Sequence, residues 1–132
     1  MKDLLNEIFK NDEPRPSVEV LRGFTKSFPG AINAEWMKDR DEWEVIFYQD
    51  QVEKIVRLSA AGNVLETRTN ISIGEIPLVI QDTAARRGEI MNVILIRRFD
   101  EVYWEIIYRD KELVRFLLIL NKDGGEIKQY PL

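Results

Sequence analysis

The sequence predicts an α+β fold in which two αβ4 repeats form one antiparallel sheet with helices on one face, preceded by a short N-terminal helix. Three observations predict it. The stretch DEWEVIFY at 41–48 is nearly rewritten as EVYWEIIY at 101–108. Each copy lies among short runs of alternating apolar and polar residues, the period of a half-buried strand. Each group of runs follows a stretch with apolar residues at helical spacing.

Residues 1–16 read as an N-terminal helix and linker. Leu4, Leu5, Ile8 and Phe9 recur at helical spacing, with Lys2, Asp3, Glu7 and Lys10 between them. So short a helix is marginal alone in water, so its apolar side is expected to dock on the sheet or on a second copy of the chain. NDEPRP at 11–16 is a polar, proline-broken connection. Ser17 then caps a second helix through Ser27, with Val18, Leu21, Phe24 and Phe28 on one face. Pro29-Gly30 stops it.

Strands are expected at about 32–38, 42–49, 53–59 and 64–69, with turn signals at Asp39-Arg40-Asp41, Asp50-Gln51 and Ala61-Gly62-Asn63. Ile76-Pro77 opens a further helix whose Ile76, Ile80 and Ala84 recur at i, i+4, and Gly88 is placed to supply a left-handed cap. Four more strands follow at about 90–98, 102–109, 112–120 and 126–130, with Asp123-Gly124-Gly125 as the last turn. Residues 17–132 therefore read as a single domain of two repeats, about 17–70 and 75–132. Trp43 maps to Trp104, Glu44 to Glu105, Ile46 to Ile107 and, after one inserted residue, Gly62 to Gly124. Neither half has much core alone, so the two are expected to share one sheet. Period-two alternation with short turns makes that sheet antiparallel.

Composition excludes several chemistries. The chain of 132 residues carries a net charge of −4, against the basic stripe a nucleic-acid binder needs. Arg86-Arg87 and Arg97-Arg98 read as solvated surface. There is no cysteine and no histidine, which removes disulfides, thiolate nucleophiles, the commonest general base and the commonest zinc ligand. No apolar run approaches a membrane span of about 18 residues. Residues 1–10, MKDLLNEIFK, are charged throughout and are not an intact signal peptide. Asn121, Asp123 and Glu126 supply too few ligands for a calcium loop and read as a hairpin turn. Asp39, Asp41 and Glu42 read as a solvated turn rather than paired catalytic carboxylates. Phosphate loops, dinucleotide fingerprints and serine elbows are missing. The expectation is a protein that is not an enzyme, with no cofactor and no metal.

The layout resembles the tandem PepSY-like proteins, also described as beta-lactamase-inhibitor-protein-like. Phe28-Pro29-Gly30, Trp36, Trp43 to Phe47 and Leu58 to Gly62 match the pattern in the first half. Ile76-Pro77, Trp104 to Tyr108 and Leu120 to Gly124 match it in the second, and the likeness covers about 17–130. The first-half turn departs from the pattern: Ser59-Ala60-Ala61-Gly62 stands where the second half has Asn121-Lys122-Asp123-Gly124. The resemblance implies binding or inhibition of another protein, or of a small ligand, rather than catalysis. It also implies a periplasmic or secreted location if a signal has been removed; otherwise the chain reads as cytoplasmic.

Strand faces locate the candidate surface. Trp43, Val45 and Phe47 point one way, and Glu44, Ile46 and Tyr48 the other. Matching the glycine turns sends Val114, Phe116, Leu118 and Leu120 toward the helices. The outer face then carries Ile46, Tyr48, Ile55, Tyr103, Ile107, Leu117 and Ile119 beside Arg57, Arg109 and Arg115. Apolar, aromatic and arginine side chains together have the composition of a binding surface. The expected function is a protein-binding module, inhibitor-like, that uses this open sheet face for another protein or for self-association. The alternative is a small-ligand or sensor domain with a pocket between sheet and helices.

Overall fold

The computed structural model describes residues 14–132. Its strands are β1 (Ile32–Asp39), β2 (Glu42–Gln49), β3 (Val52–Leu58), β4 (Val64–Asn70), β5 (Glu89–Arg98), β6 (Glu101–Arg109), β7 (Arg115–Asn121) and β8 (Glu126–Pro131). The helices are α1 (Val18–Ser27) and α2 (Leu78–Ala85), with a 3-10 turn at Ile73–Glu75. The eight strands form one antiparallel sheet in which hydrogen-bonded order follows chain order, β1 through β8. The helix expected within residues 1–10 lies outside the described residues. The chain divides into two compact units, residues 1–65 and 66–132.

In the first unit, Ser17 is the N-cap of α1, and its hydroxyl accepts from the Val20 N–H at 3.3 Å. Val20 and Phe24 are buried. Phe24 packs with Val45, Phe47, Val56 and Leu58, and Phe28, Ala31, Trp36 and Val64 close the edges. The Phe24 ring meets Phe47 edge-on at 4.9 Å and Trp36 at 5.1 Å. Val18 and Leu21, expected on the packed face with Phe24, are instead 63% and 41% exposed. The helix is rotated because Gly23 lies at its contact with the Gly62 turn. A Cβ on Gly23 would stand 2.0 Å from the Gly62 carbonyl oxygen, and one on Gly62 would stand 2.3 Å from that of Glu19. A residue without a side chain leaves no mark in apolar periodicity, so the sequence pointed to the wrong stripe.

In the second unit, Ile76, Ile80 and Ala84 are buried as the i, i+4 spacing requires. Pro77 is the N-cap of α2, and its carbonyl accepts from Ile80 and Gln81. These residues pack on Val93, Trp104, Ile106, Tyr108, Leu118 and Leu120. Gly88 is not left-handed: α2 ends at Ala85 and is capped by Arg86. Gly88 serves instead for close approach, since a Cβ there would stand 2.3 Å from the Arg109 carbonyl oxygen. β7 starts three residues later than expected. Asp110 Oδ1 accepts from Glu112 N at 2.9 Å and Val114 N at 3.0 Å, an Asx turn that competes with the strand. Val114 therefore sits in this turn, 38% exposed, and does not point to the helix.

The two units use the same internal register. Trp43 pairs with Leu58, Val45 with Val56 and Ile46 with Ile55. Trp104 pairs with Leu120, Ile106 with Leu118 and Ile107 with Leu117. The closing turns also correspond. Ser59 Oγ accepts from Asn63 N at 3.1 Å, while Asn121 Oδ1 accepts from Asp123 N and Gly125 N, both at 2.9 Å.

Candidate binding face

Alternation along β2 and β6 sets the geometry. Trp43, Val45 and Phe47 are buried on the α1 side, so Glu44, Ile46 and Tyr48 turn to the helix-free side. In the first unit Ile46 stands opposite Ile55, Glu44 opposite Arg57, and Tyr48 opposite Glu53. Ile46 and Ile55 are half-buried and Tyr48 is exposed. The Tyr48 hydroxyl donates to Glu53 Oε2 at 3.2 Å, and that bond with the carboxylate charge raises the phenol above its ordinary pKa. Arg57 Nε lies 3.1 Å from Glu42 Oε1. Ile46, Tyr48, Ile55 and Arg57 thus share one surface.

The second unit repeats the arrangement. Trp104, Ile106 and Tyr108 are buried on the α2 side, and Tyr103, Glu105, Ile107 and Arg109 face away. Ile107 stands opposite Leu117, Glu105 opposite Ile119, and Arg109 opposite Arg115. Tyr103, Ile107, Leu117 and Ile119 are half-buried, and Arg115 is exposed. Neighbouring strands add residues to this face that sequence reasoning missed. Ile94 pairs with Glu105 and Ile96 with Tyr103 from β5; Tyr130 pairs with Leu117 and Lys128 with Ile119 from β8. A register slip between Ile119 and Leu120 hides the β8 contribution from any residue count.

Ion pairs cross this surface. Arg68 Nη2 lies 2.7 Å from Glu105 Oε2, and Arg109 Nη2 lies 2.7 Å from Glu89 Oε2. Arg98 Nη2 lies 2.6 Å from Glu66 Oε1, with Glu66 buried. The Tyr103 hydroxyl donates to Glu101. Arg115 makes no ion pair among the described residues and confronts the like charge of Arg109 across the strand pair. Such facing like charges are unfavourable in isolation. At the tip of the β5–β6 hairpin, Phe99 is 80% exposed in a left-handed conformation, φ 56°.

The opposite sides of both units are filled with hydrocarbon. Phe47, Leu58, Ile80, Ile106, Leu118 and Leu120 are wholly buried between helix and strands. In the second unit the Tyr108 hydroxyl enters this layer and donates to Gln129 Oε1 at 2.7 Å. Arg87 Nη1 joins the same Gln129 oxygen at 2.7 Å and Glu126 Oε1 at 2.5 Å. These groups satisfy one another and hold the end of the α2 segment to β8. Among the described residues, no cluster of three acidic side chains is arranged to hold a metal ion. No helix among them is long and apolar enough to cross a membrane.

No protein-family model matches the chain, and no curated protein matches it. Solved structures do share its fold. A BLIP-like protein from Bacteroides fragilis superposes with a TM-score of 0.76 at 18% identity, over 92% of this chain and 89% of that one. A Bacteroides eggerthii protein provisionally described as periplasmic gives 0.80 at 14% identity, over 89% and 90%. A DUF2874 family protein from Bacteroides ovatus gives 0.77 at 17% identity, over 89% of each chain. Likeness at this identity establishes that the chain has the fold of the BLIP-like and DUF2874 structures.

Proposed function

We propose that the chain is a non-catalytic protein-binding module of the inhibitor type, acting through the helix-free faces of its strands. One observation carries this reading. Beside the facing pair Ile107 and Leu117, the second unit arrays Tyr103, Ile119, Tyr130 and Arg115 on one side of three adjacent strands. Aromatic, aliphatic and arginine side chains concentrated in this way are the usual content of an interface centre. The first unit offers a smaller version in Ile46, Tyr48, Ile55 and Arg57. The fold shared with a BLIP-like protein supports the same class of function, as does the resemblance to tandem PepSY-like proteins. A periplasmic or secreted setting accords with the eggerthii likeness.

The test is the double substitution Tyr103→Ala with Arg109→Ala. The partner is isolated by affinity capture on the immobilised chain and then titrated calorimetrically, with self-association followed by sedimentation. Truncating central aromatics and arginines commonly costs about 2 kcal/mol of binding or more. The expected result is weakened association with an almost unchanged melting curve. Undiminished binding by the folded double variant would remove the helix-free face from the interface.

A further inference from the structure

Charge on the helix-free face of the second unit is unevenly committed. Glu105 is held by Arg68 and Glu89 by Arg109, both at 2.7 Å, and Glu101 accepts from the Tyr103 hydroxyl. Two cations of the same face are left over. Arg115 and Lys128 make no ion pair among the described residues. The Lys128 ammonium lies 5.2 Å from the centre of the Tyr130 ring. Both side chains are exposed. The chain as a whole carries a net charge of −4, so uncommitted positive charge here runs against the overall balance.

Strand register places the two cations. Arg115 begins β7, and Lys128 stands opposite Ile119, four residues further along that strand. At about 3.3 Å per residue, they are separated by roughly 13 Å along the strands. Between them lies the facing pair Leu117 and Tyr130, with Tyr130 39% exposed. The surface therefore runs cation, apolar and aromatic centre, cation. Arg115 also confronts Arg109 across the strand pair, and facing like charges disfavour each other. A carboxylate from outside would relieve that repulsion, and the planar guanidinium fork matches carboxylate geometry. Strand addition at the β8 edge is opposed. The register slip between Ile119 and Leu120 leaves Ile127 unpaired, and Pro131 has no N–H to offer. An occupant is accordingly expected across the face rather than along the edge.

We propose, on the reading that this face is the interface, that its partner is a protein segment in which two carboxylates flank an apolar side chain. One carboxylate meets Arg115, the other meets Lys128, and the apolar group rests on Leu117 and Tyr130. In an extended segment the carboxylates stand at i and i+4 with the apolar residue at i+2. All three then point to one side, and the outer two match the spacing of roughly 13 Å. Charges at such a rim select the partner more than they add affinity.

The probes are two capped peptides with the cores Glu-Thr-Leu-Thr-Glu and Lys-Thr-Leu-Thr-Lys. Each is titrated into the full chain at low ionic strength and followed by amide NMR shifts. The expected result is shifts at Leu117, Ile119 and Tyr130, with a Kd for the acidic peptide about tenfold below that of the lysine peptide. Two exposed ion pairs gained against two like-charge contacts have this combined effect. The preference should invert in Arg115→Glu with Lys128→Glu and vanish in Arg115→Gln with Lys128→Gln, while both variants keep wild-type melting curves. Equal affinities with shifts confined to this face would overturn the acidic partner and leave the interface standing. Three other results would overturn the proposal: no measurable binding of the acidic peptide, tighter binding of an oligothymidylate, or a sedimenting dimer that Arg115→Glu with Lys128→Glu dissolves. The interface itself is judged separately, by Tyr103→Ala with Arg109→Ala.

Discussion

Gly23 of α1 and Gly62 of the β3–β4 turn meet backbone to backbone, with no room for a side chain on either. Gly62 adds a left-handed conformation, φ +88°. Gly23→Ala and Gly62→Ala should each destabilise the chain by about 1–3 kcal/mol through forced overpacking, with Gly62→Ala the worse of the two. Gly30 is also left-handed, φ +79°, but has open space around it. Gly30→Ala should cost only the conformational penalty of about 1–2 kcal/mol. Urea midpoints of the three variants check the order. Equal midpoints for Gly23→Ala and the wild type would show that the helix does not pack through this glycine.

Adjacent residues on β6 should behave oppositely. Ile106 is wholly buried, and Ile106→Ala should cost about 2–5 kcal/mol of stability. Ile107 is on the helix-free face, and Ile107→Ala should cost roughly 1 kcal/mol or less while weakening association. Thermal melts and binding measured on both variants separate the faces. The reverse order of stabilities would mean that the faces are inverted.

Tyr108 sets an alkaline limit. Burial is the main cause that raises its phenol above the ordinary 10.0, because the ionised form would lose solvation; the nearby Arg87 charge partly opposes it. With the folded value raised, the unfolded chain releases this proton first. The stabilisation is complete below about pH 10 and is lost as pH climbs through the folded value. Tyr108→Phe should flatten that alkaline decline and, by deleting the bond to Gln129, lower stability near neutrality by about 1 kcal/mol. Tyr48 shifts in the same direction but is exposed, so Tyr48→Phe should flatten the decline less. Identical stability–pH curves for wild type and Tyr108→Phe would assign the decline to other groups.

Asn121 tests the turn against a calcium loop. Its side-chain oxygen already accepts from two turn N–H groups, Asp123 and Gly125. Melting temperature should therefore be unchanged by millimolar calcium or by a chelator, whereas Asn121→Ala should cost about 1 kcal/mol. A calcium-dependent rise in the melting temperature would reopen the metal reading.

The fold was largely legible because the evidence for it is periodic. Trp43, Val45 and Phe47, and later Trp104, Ile106 and Tyr108, mark buried faces by alternation alone, and Ile76, Ile80 and Ala84 mark a helix stripe. The failures occur where no side chain carries the signal. Gly23 turned α1 away from Val18 and Leu21, and the Asp110 side chain held Glu112 and Val114 out of β7. The helix-free face was legible in part. Its members on β2, β3, β6 and β7 follow from alternation, while Ile94, Ile96, Lys128 and Tyr130 depend on strand register. Pairings such as Arg68 with Glu105 join residues far apart in sequence and have no local signature.

Strand order has a kinetic consequence. Since hydrogen-bonded order repeats chain order from β1 to β8, every strand finds a partner in the segment just made or the one about to follow. Apart from the connection between Asn70 and Glu89, which carries α2, the loops between successive strands are short, and closure entropy grows with loop length. Among β-rich chains, which are ordinarily slow because their pairings are distant, this one should zip hairpin by hairpin and refold on the order of milliseconds.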